Sequence, residues 1–203
     1  DTKDEVKKDQ EKQPITAKKP SVVAKPYMSG YSGNLFKPNQ AMTRAEVTAV
    51  LARFVDGETT LIYFPFKDVK SDAWYQNDLQ TLANMKVISG YEDGRFMPNK
   101  SVTRAEFVSM LARLQGIDKA KAQASFSDLK DAAWAKNAIS IALEKGWVSG
   151  YKDNTFRPNQ AVSRAEAAAI LAKAYKLEKS GDKTFADVPQ NHWAYQAISQ
   201  MTN

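Results

Sequence analysis

Of 203 residues, 43% are hydrophobic, enough to bury a core, and the formal net charge is +6. The absence of cysteine excludes a disulfide scaffold, a thiolate zinc site and a cysteine nucleophile, and no apolar run approaches the ~18 residues of a membrane span, so no membrane insertion is expected. The basic balance points to an anionic partner or only to solubility, and the polar first residues are not those of a signal peptide.

Residues 1–26 are rich in Lys, Asp and Glu and carry Pro14, Pro20 and Pro26, which predicts a charged linker or tail. From Tyr27 onward the chain repeats. Gly30-Tyr31, Gly90-Tyr91 and Gly150-Tyr151 are followed by Phe36, Phe96 and Phe156, then Pro38-Asn39, Pro98-Asn99 and Pro158-Asn159, then Arg44, Arg104 and Arg164, all at a period of 60 residues. Such a period signals repeated supersecondary units. A second motif reads F-K-D-V at Phe66, F-S-D-L at Phe126 and F-A-D-V at Phe185, each followed by a tryptophan, Trp74, Trp134 or Trp193. None precedes Gly30, and the copy at Phe185 has no G-Y partner after it. The two unpaired halves could complement each other and close a three-fold ring; the plainer alternative is a repeat array cut at arbitrary points.

The second helix of each repeat is the clearer one. Thr43-x-x-Glu46, Thr103-x-x-Glu106 and Ser163-x-x-Glu166 are capping-box sequences. Apolar residues then recur at helical spacing: Val47, Val50, Leu51 and Phe54; Phe107, Met110, Leu111 and Leu114; Ala167, Ile170 and Leu171. The first helix of each repeat is expected to start near Ser71, Asp131 and Asn191. Trp74, Leu79, Leu82 and Ala83 match Trp134, Ile139, Ala142 and Leu143, and Trp193 and Ile198 continue the register, so these helices are expected to form a central bundle. Between the helices, Gly33-Asn34, Asp93-Gly94 and Asp153-Asn154 suit turns that need positive φ, and the proline after each phenylalanine is expected to keep the exit extended.

Little in the chain suggests catalysis. His192, the one histidine, reads as a helix-start polar residue, and no nucleophile elbow, P-loop, calcium loop or zinc set is present; no cofactor is expected. The arginines are more telling. Arg44, Arg104 and Arg164 each follow a cap directly, where a cation opposes the helix dipole. Either each pairs with the capping glutamate or with Asp68, Asp128 or Asp187, or each joins free helix N-terminal amides in clamping a carboxylate or phosphate. The tryptophans either offer sugar-stacking surfaces or fill junctions between helices.

The motifs F-x-D-V with its tryptophan, S-G-Y-x-D-G-x-F-x-P-N, and T-R-A-E with its helix together resemble the S-layer homology (SLH) domain family, over essentially everything from residue 27 on. The resemblance implies a mostly α fold of three helix-turn-helix repeats around a pseudo-three-fold central helical bundle, with short strand-like turns. The divisions expected are a second-half repeat at 27–62, full repeats at 63–122 and 123–180, and a half-repeat at 181–203 completing the first. It also implies a noncatalytic, extracellular wall-anchoring module of a bacterial surface protein. Its inter-repeat grooves would bind secondary cell-wall polymer, commonly through pyruvylated N-acetylmannosamine, or peptidoglycan in other cases. The family's T-R-A-E arginine matches Arg44, Arg104 and Arg164, and its turn matches Ser29-Gly30-Tyr31, Ser89-Gly90-Tyr91 and Ser149-Gly150-Tyr151.

Chain order then pairs Arg44 with Asp68, Trp74 and Ser89-Gly90-Tyr91, and Arg104 with Asp128, Trp134 and Ser149-Gly150-Tyr151. Arg164 would meet Asp187 and Trp193 from one chain end and Ser29-Gly30-Tyr31 from the other. The first repeat departs most from the pattern, lacking its F-x-D-V half and the turn aspartate, so the groove at Gly30 is expected to be the weakest. A helical nucleic-acid binder would place its basic residues on one helix face. A glycan-processing enzyme would need a paired-carboxylate cleft, and none is evident. Oligomeric state is left open.

Overall fold

The structure, a computed structural model, describes residues 26–55, 65–178 and 183–202. The predicted linker as far as residue 25, and the connection over 56–64, lie outside the described residues. Within them the protein is mostly helical: α1 (Arg44–Ala52), α2 (Gln76–Asn84), α3 (Arg104–Leu114), a 3-10 segment (Leu129–Ala135), α4 (Lys136–Glu144), α5 (Arg164–Ala174) and α6 (Tyr195–Thr202).

Helices α1, α3 and α5 start where their capping boxes direct. Thr43 accepts from the Glu46 amide at 3.3 Å while Glu46 Oε2 accepts from the Thr43 amide at 2.8 Å. The boxes at Thr103 and Ser163 are equally complete. These three helices are buried on nearly all sides, down to Thr48 and Ser109, whose hydroxyls return to carbonyls one turn back. They are therefore the inner helices. The expectation that the helices after the F-x-D motifs form the centre is corrected: α2, α4 and α6 are amphipathic outer helices, packed on α1, α3 and α5 respectively.

Their starts are corrected as well. Ser71, Asp131 and Asn191 do not cap α-helices; α2, α4 and α6 begin four or five residues later. Tight i to i+3 turns intervene, such as the Ala73 amide to Lys70 O at 3.1 Å and the Tyr195 amide to His192 O at 2.9 Å. A residue that closes a tight turn cannot also present its oxygen to the first helical amides. His192 does serve the helix start, accepting from the Ala194 amide at 3.1 Å.

At the centre, three backbone segments meet in a cycle. The Met42 amide donates to Val162 O, the Val162 amide to Val102 O and the Val102 amide to Met42 O, at 3.0, 2.9 and 3.0 Å. Isolated bridges Ala41–Ser163, Thr43–Ser101 and Thr103–Ala161 flank the cycle. Met42, Val102 and Val162 are fully buried, so this small polar ring is sealed in apolar surroundings, where each hydrogen bond is costly to break.

Around the rim, each F-x-D motif clasps a G-Y turn. Asp68 accepts from the amides of Phe96 and Met97 at 2.7 and 2.8 Å, and Asp128 from Phe156 and Arg157 at 2.9 and 2.7 Å. Asp187 does the same across the chain ends, to Phe36 and Lys37 at 2.8 and 2.7 Å. The motif phenylalanine lies on the turn glycine: a Cβ at Gly90 would fall 2.6 Å from Phe66 Cε1, and those at Gly30 and Gly150 would run into Phe185 and Phe126. Side-chain-free backbone at these positions is thus a packing requirement.

Positive φ appears where expected, at Gly33, Asn34, Gly94 and Asn154. It also appears where an extended exit was expected. Lys37, Met97 and Arg157, each just before a proline, have φ of 58°, 57° and 58°. A left-handed non-glycine residue costs about 1–2 kcal/mol, and the two-amide grip of the aspartate holds it there. The chain ends are joined further by the Met28 amide to Met201 O at 2.8 Å and by Phe36 against Phe185, rings 5.4 Å apart.

Candidate functional site

Each seam between repeats holds one buried arginine over one turn. Arg44 Nε donates to Phe96 O at 2.8 Å and its Nη2 to Ser89 O at 2.7 Å, with the guanidinium 5.0 Å from the Tyr91 ring centre. Arg164 repeats this across the chain ends, to Phe36 O at 2.8 Å and Ser29 O at 2.6 Å, 4.8 Å from the Tyr31 ring. Arg104 donates to Phe156 O at 3.0 Å and sits 5.0 Å from the Tyr151 ring. Each arginine is only 6% exposed.

The third seam differs in its second bond. Arg104 Nη1 donates to Glu166 Oε1 at 2.8 Å, an ion pair that also receives the Tyr151 hydroxyl at 3.0 Å. Arg44 and Arg164 form no such pair among the described residues. Burial lowers their guanidinium pKa, opposed by Tyr91, Glu106 and Asp68 at one and by Tyr31, Glu46 and Asp187 at the other. Both stay charged at neutral pH.

Two expectations about this chemistry need correction. The helix N-terminal amides are not free, because the next repeat already satisfies them. The Arg44 amide donates to Lys100 O and the Ala45 amide to Pro98 O; Arg104 and Ala105 reach Gln160 and Pro158, and Arg164 and Ala165 reach Gln40 and Pro38. Nor do Asp68, Asp128 and Asp187 form ion pairs with the arginines, since their oxygens are committed to the backbone clasp. Where a capping glutamate does pair with an arginine, it belongs to the following repeat.

The tryptophans do not fill junctions. Trp74, Trp134 and Trp193 are 67, 62 and 64% exposed, so the junction-filling reading fails. Trp74 meets Tyr75 edge-on and Trp193 stacks near His192, 5.2 and 5.8 Å between ring centres. Among the described residues none of the three lies over a seam arginine. The sequence offered the capping glutamates as partners of the arginines; among the described residues that pair forms only between Arg104 and Glu166, from the next repeat. Sequence reasoning missed the cations outside the tyrosines, Lys37, Lys100 and Arg157. The positive φ before proline hid two of these, Lys37 and Arg157.

Asp187 carries a pH consequence. Burial tends to raise its pKa, but amide hydrogen bonds from Phe36, Lys37 and its own N–H, with the charge of Arg164, hold it below the ordinary aspartate range. A carboxyl lowered in the folded state contributes stability above its unfolded pKa of about 3.9 and loses it as pH falls through the folded value. Acidification below about pH 4 should therefore loosen the joint between the chain ends, seen as faster amide exchange at Met28 and Phe36. Asp187→Asn should flatten that dependence; an acid profile identical to the unaltered protein would show that the charge is immaterial to the clasp.

A closed ring of three helix-turn-helix repeats, with an arginine-and-tyrosine seam between each neighbouring pair, defines the class of repeat module to which the chain belongs. The S-layer homology domain model matches residues 22–48, 65–108 and 125–168, and the chain belongs to that family. Membership places it at the bacterial cell surface or cell wall. It is 34% identical over 185 residues, 86% of its length, to the cellulosome-anchoring protein of Acetivibrio thermocellus. It is 34% identical over 119 residues, 58% of its length, to the surface-layer 125 kDa protein of Lysinibacillus sphaericus. It is 36% identical over 141 residues, 66% of its length, to an amylopullulanase of Thermoanaerobacterium thermosulfurigenes. The chain spans 41, 10 and 8% of those three proteins.

Proposed function

We propose that the module is a noncatalytic anchor that binds an acidic secondary cell-wall polymer, with the carboxylate of a pyruvylated sugar held by the seam arginines Arg44 and Arg164. The observation that carries this is an arginine 6% exposed with protein carbonyls on two of its donors and no carboxylate at ion-pair distance among the described residues. Guanidinium has five donors in a fixed fork, so both arginines retain N–H groups for a planar anion, and the tyrosine beside each gives an apolar floor for a sugar ring. Ser29-Gly30-Tyr31 and Ser89-Gly90-Tyr91 form the opposite walls. Ser149-Gly150-Tyr151 forms the wall of a seam already neutralised by Glu166, so this groove ranks last. The ranking reverses the expectation from repeat departures, because the chain ends rebuild the Gly30 turn with the same bonds.

The relatives named for anchoring and for the surface layer fit this reading, and the amylopullulanase fits a module carried beside a separate catalytic domain. The repeated carboxylates are committed to backbone amides, which leaves them ill placed as acid or base. Arginines this buried offer no cationic stripe for a nucleic-acid backbone. The exposed Trp74, Trp134 and Trp193 are proposed as outer stacking surfaces for the same polymer. Sedimentation with purified sacculi tests the proposal: binding to native sacculi should be lost when the secondary polymer is extracted. Equal binding to both would assign the module to peptidoglycan instead.

A further inference from the structure

The seam arginines leave one repeated feature unexplained: each groove tyrosine carries a second cation. Lys37 Nζ stands 4.3 Å from the Tyr31 ring centre, Lys100 Nζ 4.8 Å from that of Tyr91, and the Arg157 guanidinium 3.7 Å from that of Tyr151. The inner arginine of each groove lies no more than 5.0 Å from the same centre. One aromatic ring therefore holds an inner, buried cation and an outer cation within the span of a substituted sugar.

The outer cation does not come from one position in the repeat. Lys37 and Arg157 follow the motif phenylalanine, where the middle copy has Met97. The middle copy instead has Lys100 where the others have Gln40 and Gln160. When one position loses its charge the other gains it, so every tyrosine keeps one outer cation. A lysine excess serving only solubility has no reason to follow the rings in this way.

The grooves differ in what balances these charges. At Tyr151 both cations have carboxylates, Arg104 with Glu166 at 2.8 Å and Arg157 with Asp153 at 3.4 Å. At Tyr91, Lys100 donates to the tyrosine hydroxyl at 2.9 Å, and the turn carboxylate of Asp93 is taken by Arg95 at 2.6 Å. At Tyr31 the turn has Ser32-Gly33 in place of an acid, and Glu46 accepts from the tyrosine hydroxyl at 3.3 Å without an ion pair to Arg164 or Lys37 among the described residues. Two grooves thus hold a pair of like charges without an ion-pair partner among the described residues, an arrangement that favours a ligand with two negative groups.

We propose that Lys37 and Lys100 are specificity residues of the grooves of Arg164 and Arg44, selecting a saccharide that bears a second anionic group beside the carboxylate held by the arginine. The inference rests on the carboxylate reading given above. Calorimetric titration at low salt would compare the methyl glycoside of pyruvylated N-acetylmannosamine with the 3-phosphate of that glycoside and with the pyruvylated glycosyl 1-phosphate. The unaltered protein should prefer one phosphorylated sugar by about threefold or more, the scale of one partly exposed charge pair. The double variant Lys37→Gln, Lys100→Gln should lose that preference while binding the singly charged sugar within about twofold of the original. Adding Met97→Lys to the double variant should restore the preference at the Arg44 groove, because that position reaches the tyrosine in the other two copies. A preference unchanged in the double variant, or an equal loss for all the sugars, would overturn the proposal. If the unaltered protein bound none of them, the carboxylate reading would fall and this inference with it.

Discussion

Replacing Arg44 and Arg164 together by alanine is expected to bring sacculus binding down to background, whereas Arg104→Ala should leave most of it. Truncating one member of a buried, hydrogen-bonded charge pair costs about 2–5 kcal/mol of affinity, some thirtyfold or more per groove. Two grooves on one polymer act together, so losing both also removes the gain in effective concentration. Arg104 already has Glu166 at 2.8 Å, and an anion there must displace that partner before it gains anything. The substitution also strips donors from Ser89 O, Phe96 O, Ser29 O and Phe36 O, so stability must be followed in parallel. Arg→Lys variants keep the charge but lose the fork, and they should fold well while binding weakly. Equal losses for all three single alanine variants would contradict the ranking; full binding by the Arg44, Arg164 pair would remove the arginines from the site.

Phe185→Ala should be the most damaging of the three motif-phenylalanine truncations, at about 3–5 kcal/mol. Phe185 is 6% exposed, while Phe66 and Phe126 are only half-buried. It packs against Gly30 and against Phe36, and with Asp187 it holds the first turn from the far end of the chain. Its loss should free the Ser29-Gly30-Tyr31 wall and so abolish the Arg164 groove while sparing the Arg44 groove. Thermal melting with sugar titration reads both effects. A Phe185→Ala protein no less stable than Phe66→Ala would mean that the chain ends are joined mainly by other contacts.

How much of this was legible in the sequence depends on the range of the interaction concerned. The inner helices were readable to the residue because a capping box is local chemistry: Thr43, Thr103 and Ser163 act on amides three residues away. The outer helices were misplaced because Ser71, Asp131 and Asn191 have the right chemistry for caps but are used in tighter turns. Which helix layer is central could not be read from apolar spacing, since both helices of each repeat carry an apolar stripe, and Trp74, counted with that of α2, lies ahead of the helix and is 67% exposed. The inequality of the grooves was hidden for another reason. All three inner arginines sit in nearly identical local sequence, and they differ in whether one nitrogen reaches a carbonyl or a carboxylate of the next repeat. The left-handed residues at Lys37, Met97 and Arg157 were invisible because a distant aspartate, not a local preference, imposes them.

The hydrogen-bond cycle through Met42, Val102 and Val162 has a consequence for valence. An open solenoid gains binding surface whenever a unit is added at an end, because each unit needs only its neighbours. In this cycle every amide has already found the one carbonyl that completes it. A fourth copy would have no place to join, and a two-copy version would leave a donor and an acceptor unmatched in an apolar centre. Grip on a wall can therefore not be graded by repeat number within one ring. It would be tuned seam by seam, through exchanges such as the lysine that moves from position 37 in one copy to position 100 in the next, or else by stringing whole rings together.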